Sequence, residues 1–265
     1  MLIDIGVNLS HKSFANDTRE VLRSAHENGI RKLIITGTSV CESNRMIALL
    51  NQYSTEFPEM LYGTVGIHPH AASEFSNDST ADLRHLLTQP GVVAIGETGL
   101  DFHRNLAPKE MQVKCFEAHL SLASEIELPL FMHEREASKL QIDILKNRRK
   151  DFSKGVIHCF TGDRQTLYQY LDMDLHIGIT GWICDERRGM PLQDLVADIP
   201  LDRLMIETDS PYLLPRNLAF PPKDGRNEPS FLPWVVSGIA ACREESKEEI
   251  AEQTGKTAIK FFGLE

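Results

Sequence analysis

No stretch of the 265-residue sequence runs to 18 or more apolar residues, so a membrane-spanning helix is not expected. The opening "MLIDIGVNLSHKSF" has no basic segment leading into an apolar one, so no secretory leader is expected and a cytoplasmic location is. Cysteine is scarce. The five residues (41, 115, 159, 184 and 242) are odd in number and never form Cys-x-x-Cys, which argues against a disulfide framework or a cysteine zinc site. Positive charge is also short: 28 Lys and Arg stand against 38 Asp and Glu, a net charge of −10. That balance excludes a protein that coats duplex DNA through a basic face, but not one that grips a few phosphates in a cleft. No G-x-G-x-x-G follows the first apolar run, which argues against a dinucleotide-binding open sheet. Repeats, low-complexity tracts and long linkers are missing as well, and one domain over 1–265 is expected.

With 42% hydrophobic residues, the chain has enough apolar material for a large core. Apolar runs near 2–8, 33–37, 61–67, 92–97, 129–133, 155–159, 175–181 and 203–208 read as strands. Amphipathic stretches near 13–28, 39–53, 80–88, 108–126, 136–148, 163–173 and 191–198 read as the helices between them, with two more at 231–242 and 246–261. Eight strand–helix alternations in a chain of this length predict an α/β fold, a (β/α)8 TIM barrel.

In such a barrel the C-terminal strand ends build the site. Strand one, "LIDIGVNLS", alternates so that Asp4, Gly6 and Asn8 are expected to share the inward face. The other strand ends present His68 and His70 ("GIHPH"), Glu97 ("IGETGLDF"), His133 ("FMHERE"), His158 ("VIHCF") and Asp209 ("IETDSPYL"). An unpaired charge after an apolar run is costly. Glu97, His133, His158 and Asp209 at one end of four strands suit a divalent cation, which takes imidazole and carboxylate together. If His158 points inward, alternation sends Cys159 outward. Glu207 shares the face of Asp209 one layer deeper, as a support.

At these residues the sequence resembles the TatD family of metal-dependent deoxyribonucleases, within the amidohydrolase-like barrels. "GIHPH", "VAIGETGLDF", "FMHERE", "VIHCFTG", "GITGWICDERRG", "IETDSPYLLP" and "RNEP" carry the resemblance, in order and from strand one to the C-terminus. It implies hydrolysis of phosphodiester bonds, as a Mg2+-dependent 3′→5′ exonuclease on single-stranded DNA or RNA, with a part in DNA repair or degradation. It also implies Glu97, His133 and His158 as metal ligands and Asp209 as a further ligand or the base that activates water, so that Glu97 and Asp209 are the catalytic pair. Mn2+ or Zn2+ are alternative cations.

Most relatives carry Asp-x-His-x-His on strand one, where this chain has Gly6 and Asn8. One principal metal site and a weak second one are therefore expected. His68, Asn8, Arg187 and Arg226 are the expected substrate contacts, with Arg188 an alternative to Arg187. Phe102, Trp182 and Tyr212 are possible stacking platforms. A monomer is the default. The alternative is an amidohydrolase-type enzyme acting on a small amide, lactone or phosphoester, but such enzymes generally want the missing His-x-His.

Overall fold

The structure, a computed structural model, describes residues 1–264 apart from the side chain of Asn77. Eight strands run parallel in chain order: β1 (Leu2–Val7), β2 (Ile30–Ile35), β3 (Leu61–Val65), β4 (Val92–Asp101), β5 (Leu130–Arg135), β6 (Gly155–Ile157), β7 (His176–Ile179) and β8 (Leu204–Ile206). The sheet closes on itself. Val7 bridges Ser210 in parallel, Asn8 N–H donates to Ser210 O at 2.8 Å, and Asp209 N–H donates to Gly6 O at 2.9 Å. The result is the expected (β/α)8 barrel.

Helices α1 (Thr18–Glu27), α2 (Val40–Tyr53), α3 (Asn77–Leu86), α4 (Lys109–Glu125), α5 (Ser138–Asn147), α6 (Arg164–Asp172), α7 (Met190–Gln193), α8 (Leu232–Ala240) and α9 (Lys247–Phe262) surround it. Several begin where the sequence supplies a cap for the free N–H groups of the first turn. Ser39 Oγ accepts Glu42 N–H at 3.1 Å and Asp163 Oδ1 accepts Thr166 N–H at 2.8 Å. Ser246 and Glu249 cap each other's backbone, and Gly263, at φ 67°, ends α9.

The core has two layers. Leu33, Ile35, Leu130, Met132, Ile177 and Leu204 pack outward against the helices. Ile3, Ile5, Ile34, Phe131, Val156 and Met205 fill the barrel, whose floor is sealed by Phe261, Phe262 and Leu264 from the end of α9. Each side chain of this size contributes about 1.5–3 kcal/mol when fully buried.

Strand one departs from the alternation expected of it. Its pairing with β2 shifts register between Asp4 and Val7, the signature of a bulge. Ile3 and Ile5 therefore belong to the interior, whereas Val7 and Leu9 join the helix-side layer. Gly6 and Asn8 still face the mouth, but Asp4 does not accompany them. Its carboxyl takes Thr208 N–H at 2.9 Å and bonds Thr208 Oγ1 at 2.6 Å, which ties β1 to the end of β8. Burial pushes Asp4 up to about 8, so it keeps its proton at neutral pH.

Candidate active site

The mouth of the barrel is organised around one carboxylate oxygen. Glu97 sits in β4 at 4% exposure, its N–H bonded to Gly37 O at 2.8 Å. Its Oε1 lies 2.7 Å from His158 Nε2, 3.1 Å from His68 Nε2 and 3.2 Å from His133 Nδ1. Each imidazole is delivered by a different strand end. His133 is in β5, and His158 follows β6 with its N–H bonded to Met132 O and its ring stacked on Phe131 at 4.7 Å. His68 follows β3, its N–H bonded to Thr38 O at 2.9 Å.

Two further carboxylates orient these imidazoles. Asp101 Oδ2 lies 2.6 Å from His70 Nε2 and 3.3 Å from His133 Nε2, so one carboxylate holds two histidines. Asp101 carried no role in the sequence reading; the signal available was a second carboxylate four residues after Glu97 in "IGETGLDF". Glu207, wholly buried, accepts Cys159 N–H at 2.5 Å through Oε1, and its Oε2 is 3.4 Å from His158 Nδ1. It reaches that place through two glycines. A Cβ on Gly178 would stand 2.7 Å from Glu207 Oε1, and one on Gly6 would collide with Oε2.

Another buried histidine was missed. His119 of α4 accepts Ile67 N–H on Nε2 at 3.0 Å and donates from Nδ1 to Cys115 O at 2.7 Å, which fixes the residue next to His68.

The charges follow from this geometry. Burial would raise Glu97, but the adjoining His158 and His68 hold it well below the usual carboxylate range. Burial disfavours the charged form of His158, yet Glu97 and Glu207 together raise it well above an ordinary imidazole. His133 is also raised: burial opposes this, and Asp101 and Glu97 outweigh it. Burial wins at His68, which falls to about 4. Burial also carries Asp209 up to about 7, against the pull of His158 and with Glu97 and Glu207 adding to the rise.

The residues expected to form the site divide clearly. Among the described residues, one group of metal-ligand atoms falls within 4.8 Å of one another: His68, Glu97 and His133. His68, expected at the substrate, is thus gathered with the ligand-type donors. His158 joins through Glu97. Asp209 stands beside them, its Oδ1 taking Asn8 Nδ2–H at 3.0 Å. The other end of the Asn8 amide accepts Thr36 Oγ1–H at 2.7 Å, so Asn8 is committed to the protein rather than to a substrate.

Arg226 is committed too. Its two terminal nitrogens bond Asp17, Glu228 and Ser13 O, and its guanidinium lies over Phe14, which makes it a tie between loops rather than a phosphate clamp. Arg187 is exposed on the loop after β7, 4.0 Å from Asp185. Cys159 does not follow strand alternation, because β6 ends at Ile157 and Cys159 has φ 47°; its Sγ lies 3.8 Å from Thr180 Oγ1.

Three imidazole nitrogens crowding one carboxylate oxygen form a donor set for a divalent cation, which takes nitrogen and oxygen ligands at a single point. The buried His158 Nδ1 and Glu207 Oε2 lack a hydrogen-bond partner of good geometry, although they face each other. Such a carboxylate behind an imidazole keeps a proton on the nitrogen that faces it, here Nδ1, and leaves the opposite one, Nε2, for a metal. The residues present fit the ion.

Known proteins share this arrangement of chain. The family model described as TatD related DNase matches residues 3–263. A protein of Erwinia amylovora named "3'-5' ssDNA/RNA exonuclease TatD" is 48% identical over 263 residues, covering 99% of this chain and 100% of that one. Among solved structures, a TatD homologue from Escherichia coli K12 superposes with a TM-score of 0.89 at 26% identity, over 100% of this chain and 98% of the other. A hydrolase of the TatD family from Entamoeba histolytica gives 0.90 at 27% identity, again over 100% and 98%.

Proposed function

The chain belongs to the TatD-related DNase family, and on that premise we propose that it is a metal-dependent 3′→5′ exonuclease that trims single-stranded DNA or RNA. The observation that carries the reading is the convergence of His68, His133 and His158 on Glu97 Oε1. In this reading Glu97, His133 and His158, with His68 and Asp209 at their sides, hold one divalent cation, Mg2+ by preference, with Mn2+ or Zn2+ as substitutes. When bound, such a cation neutralises phosphate charge and acts as a Lewis acid toward the phosphoryl group. A second ion is held weakly, since Gly6 offers no donor and the Asn8 amide is engaged at both ends.

The protein's own groups supply the rest. Asp209, carried up to about 7 by burial, is poised to accept a proton from an attacking water near neutral pH. Asn8 aims that carboxylate, while Asp101 and Glu207 hold the imidazoles of His133 and His158. His68, kept neutral by burial, donates a hydrogen bond without adding charge. We assign the enzyme to degradation or repair of damaged DNA, as a cytoplasmic monomer built of one domain.

The test is digestion of a 5′-labelled single-stranded oligonucleotide. With Mg2+ the expected result is a ladder that shortens from the 3′ end; EDTA or Glu97→Ala should each slow it at least ~100-fold, the scale of losing a main charge-stabilising group. Trimming that survives EDTA contradicts the metal role. Turnover of lactones or amides, with none of DNA, favours the small-molecule alternative.

A further inference from the structure

Most arginines of this acidic chain are paired with carboxylates: Arg164 with Asp198, Arg216 with Asp185, Arg226 with Asp17 and Glu228. Three at the barrel mouth are not: Arg104 on the loop after β4, Arg135 and Arg188. Among the described residues none of these has a carboxylate oxygen within 4.0 Å, and the guanidinium groups of Arg135 and Arg188 stand over the same indole, 5.2 Å and 5.9 Å from the ring centre of Trp182.

Arg135 feels the neighbouring Glu134 but makes no ion pair with it. It borders a cavity of about 240 Å3 that Glu134, Glu136 and Asp163 also line. Each of those is already occupied: Glu134 accepts Ala137 N–H at 2.7 Å, Glu136 pairs with His103 at 2.6 Å, and Asp163 caps α6. Arg135 instead bonds Thr161 Oγ1 at 3.0 Å and lies on the indole. The loop bearing Trp182 is built to stay in place. Trp182 Nε1–H donates to Arg188 O at 3.2 Å, and Asp185 Oδ1 takes the N–H groups of Arg187 and Arg188 at 2.9 and 3.0 Å.

Position along the strand completes the picture. Arg135 lies two residues beyond His133 in β5, on the same face and ~6.6 Å further toward the mouth. A guanidinium is the group that matches a phosphodiester with two parallel N–H bonds, and an aromatic face is where its fork is kept flat and partly dehydrated.

The geometry points to Arg135 and Arg188, carried on Trp182, as the anchor for the phosphodiester next to the one being cleaved. This rests on the exonuclease reading and adds to it a substrate requirement: an oligonucleotide with at least two phosphodiesters, gripped through the backbone without base readout. Trp182 is a positioning residue here, acting through the two guanidinium groups.

The test is steady-state trimming of an oligo(dT) at several salt concentrations. Arg135→Ala and Arg188→Ala should each raise KM about tenfold and leave kcat within about twofold, as for loss of a charge-assisted hydrogen bond made equally before and during the reaction. The slope of log KM against log salt should fall by ~0.7 for each phosphate no longer neutralised. Arg135→Lys should keep the slope while recovering only part of the affinity. Trp182→Ala should copy Arg135→Ala, and the double variant should cost little more than either alone. Arg45→Ala, which breaks a surface pair with Glu42, is the control and should match the unaltered protein. Wild-type KM and slope in both alanine variants overturn the anchor alone. An unaltered protein that trims no oligonucleotide overturns the exonuclease reading and the anchor with it.

Discussion

At the scale of single residues, the unusual position is Gly6. Its missing side chain is the space into which Glu207 extends behind His158, so the gap in strand one and the buried carboxylate of the last strand are one feature. Gly6→Ala is therefore an overpacking change to which the end of the Glu207 side chain must yield. The expected outcome is a loss of about 1–3 kcal/mol in urea unfolding, with slower trimming as Glu207 is displaced from His158. Stability and trimming equal to wild type would show that Glu207 has another place to go. Glu97, His133 and His158 were legible in the sequence because a polar side chain after an apolar run is conspicuous. The engagements of Asn8 and Arg226 were not, since Asp209, Thr36 and Asp17 are brought to them by folding and not by any local pattern, and of these partners Glu228 alone is a sequence neighbour.

At the scale of elements, eight strands and the helices between them could be read from periodicity, with errors at the ends. β2 begins at Ile30 rather than near 33, and β4 continues to Asp101 rather than stopping at Glu97. The bulge in β1 was hidden because alternation assumes an unbroken pleat; Asp4 therefore seemed to face inward with Gly6 and Asn8.

Helix α4 shows how an element outside the mouth shapes it. His119 must stay neutral to accept Ile67 N–H, and burial lowers it to about 4. A base whose folded pKa lies below its unfolded value of ~6.5 gives stability that is complete above that value and is lost as pH falls through the folded one. The protein should thus lose on the order of 3 kcal/mol from this ring between about pH 6.5 and pH 4. Urea unfolding at pH 7 and pH 4.5 should show a smaller drop for His119→Gln than for wild type. Equal drops would remove His119 as the cause.

At the scale of the whole molecule, the proposed function asks a barrel with net charge −10 to accept a polyanion at its mouth. In the proposed reading the mouth answers this locally, with a cation at Glu97 and with Arg135 and Arg188, which have no ion pair among the described residues, while acidic residues elsewhere hold most of the remaining arginines. Composition alone registers only the repulsion. The most direct measurement is a titration of metal-stripped protein with Mn2+, following bound metal and oligonucleotide trimming in the same samples. Binding and trimming should saturate together at one tightly held ion per chain, and both should be lost in Glu97→Ala. Full trimming by the stripped protein, or two ions held with equal strength, would contradict a centre built around Glu97.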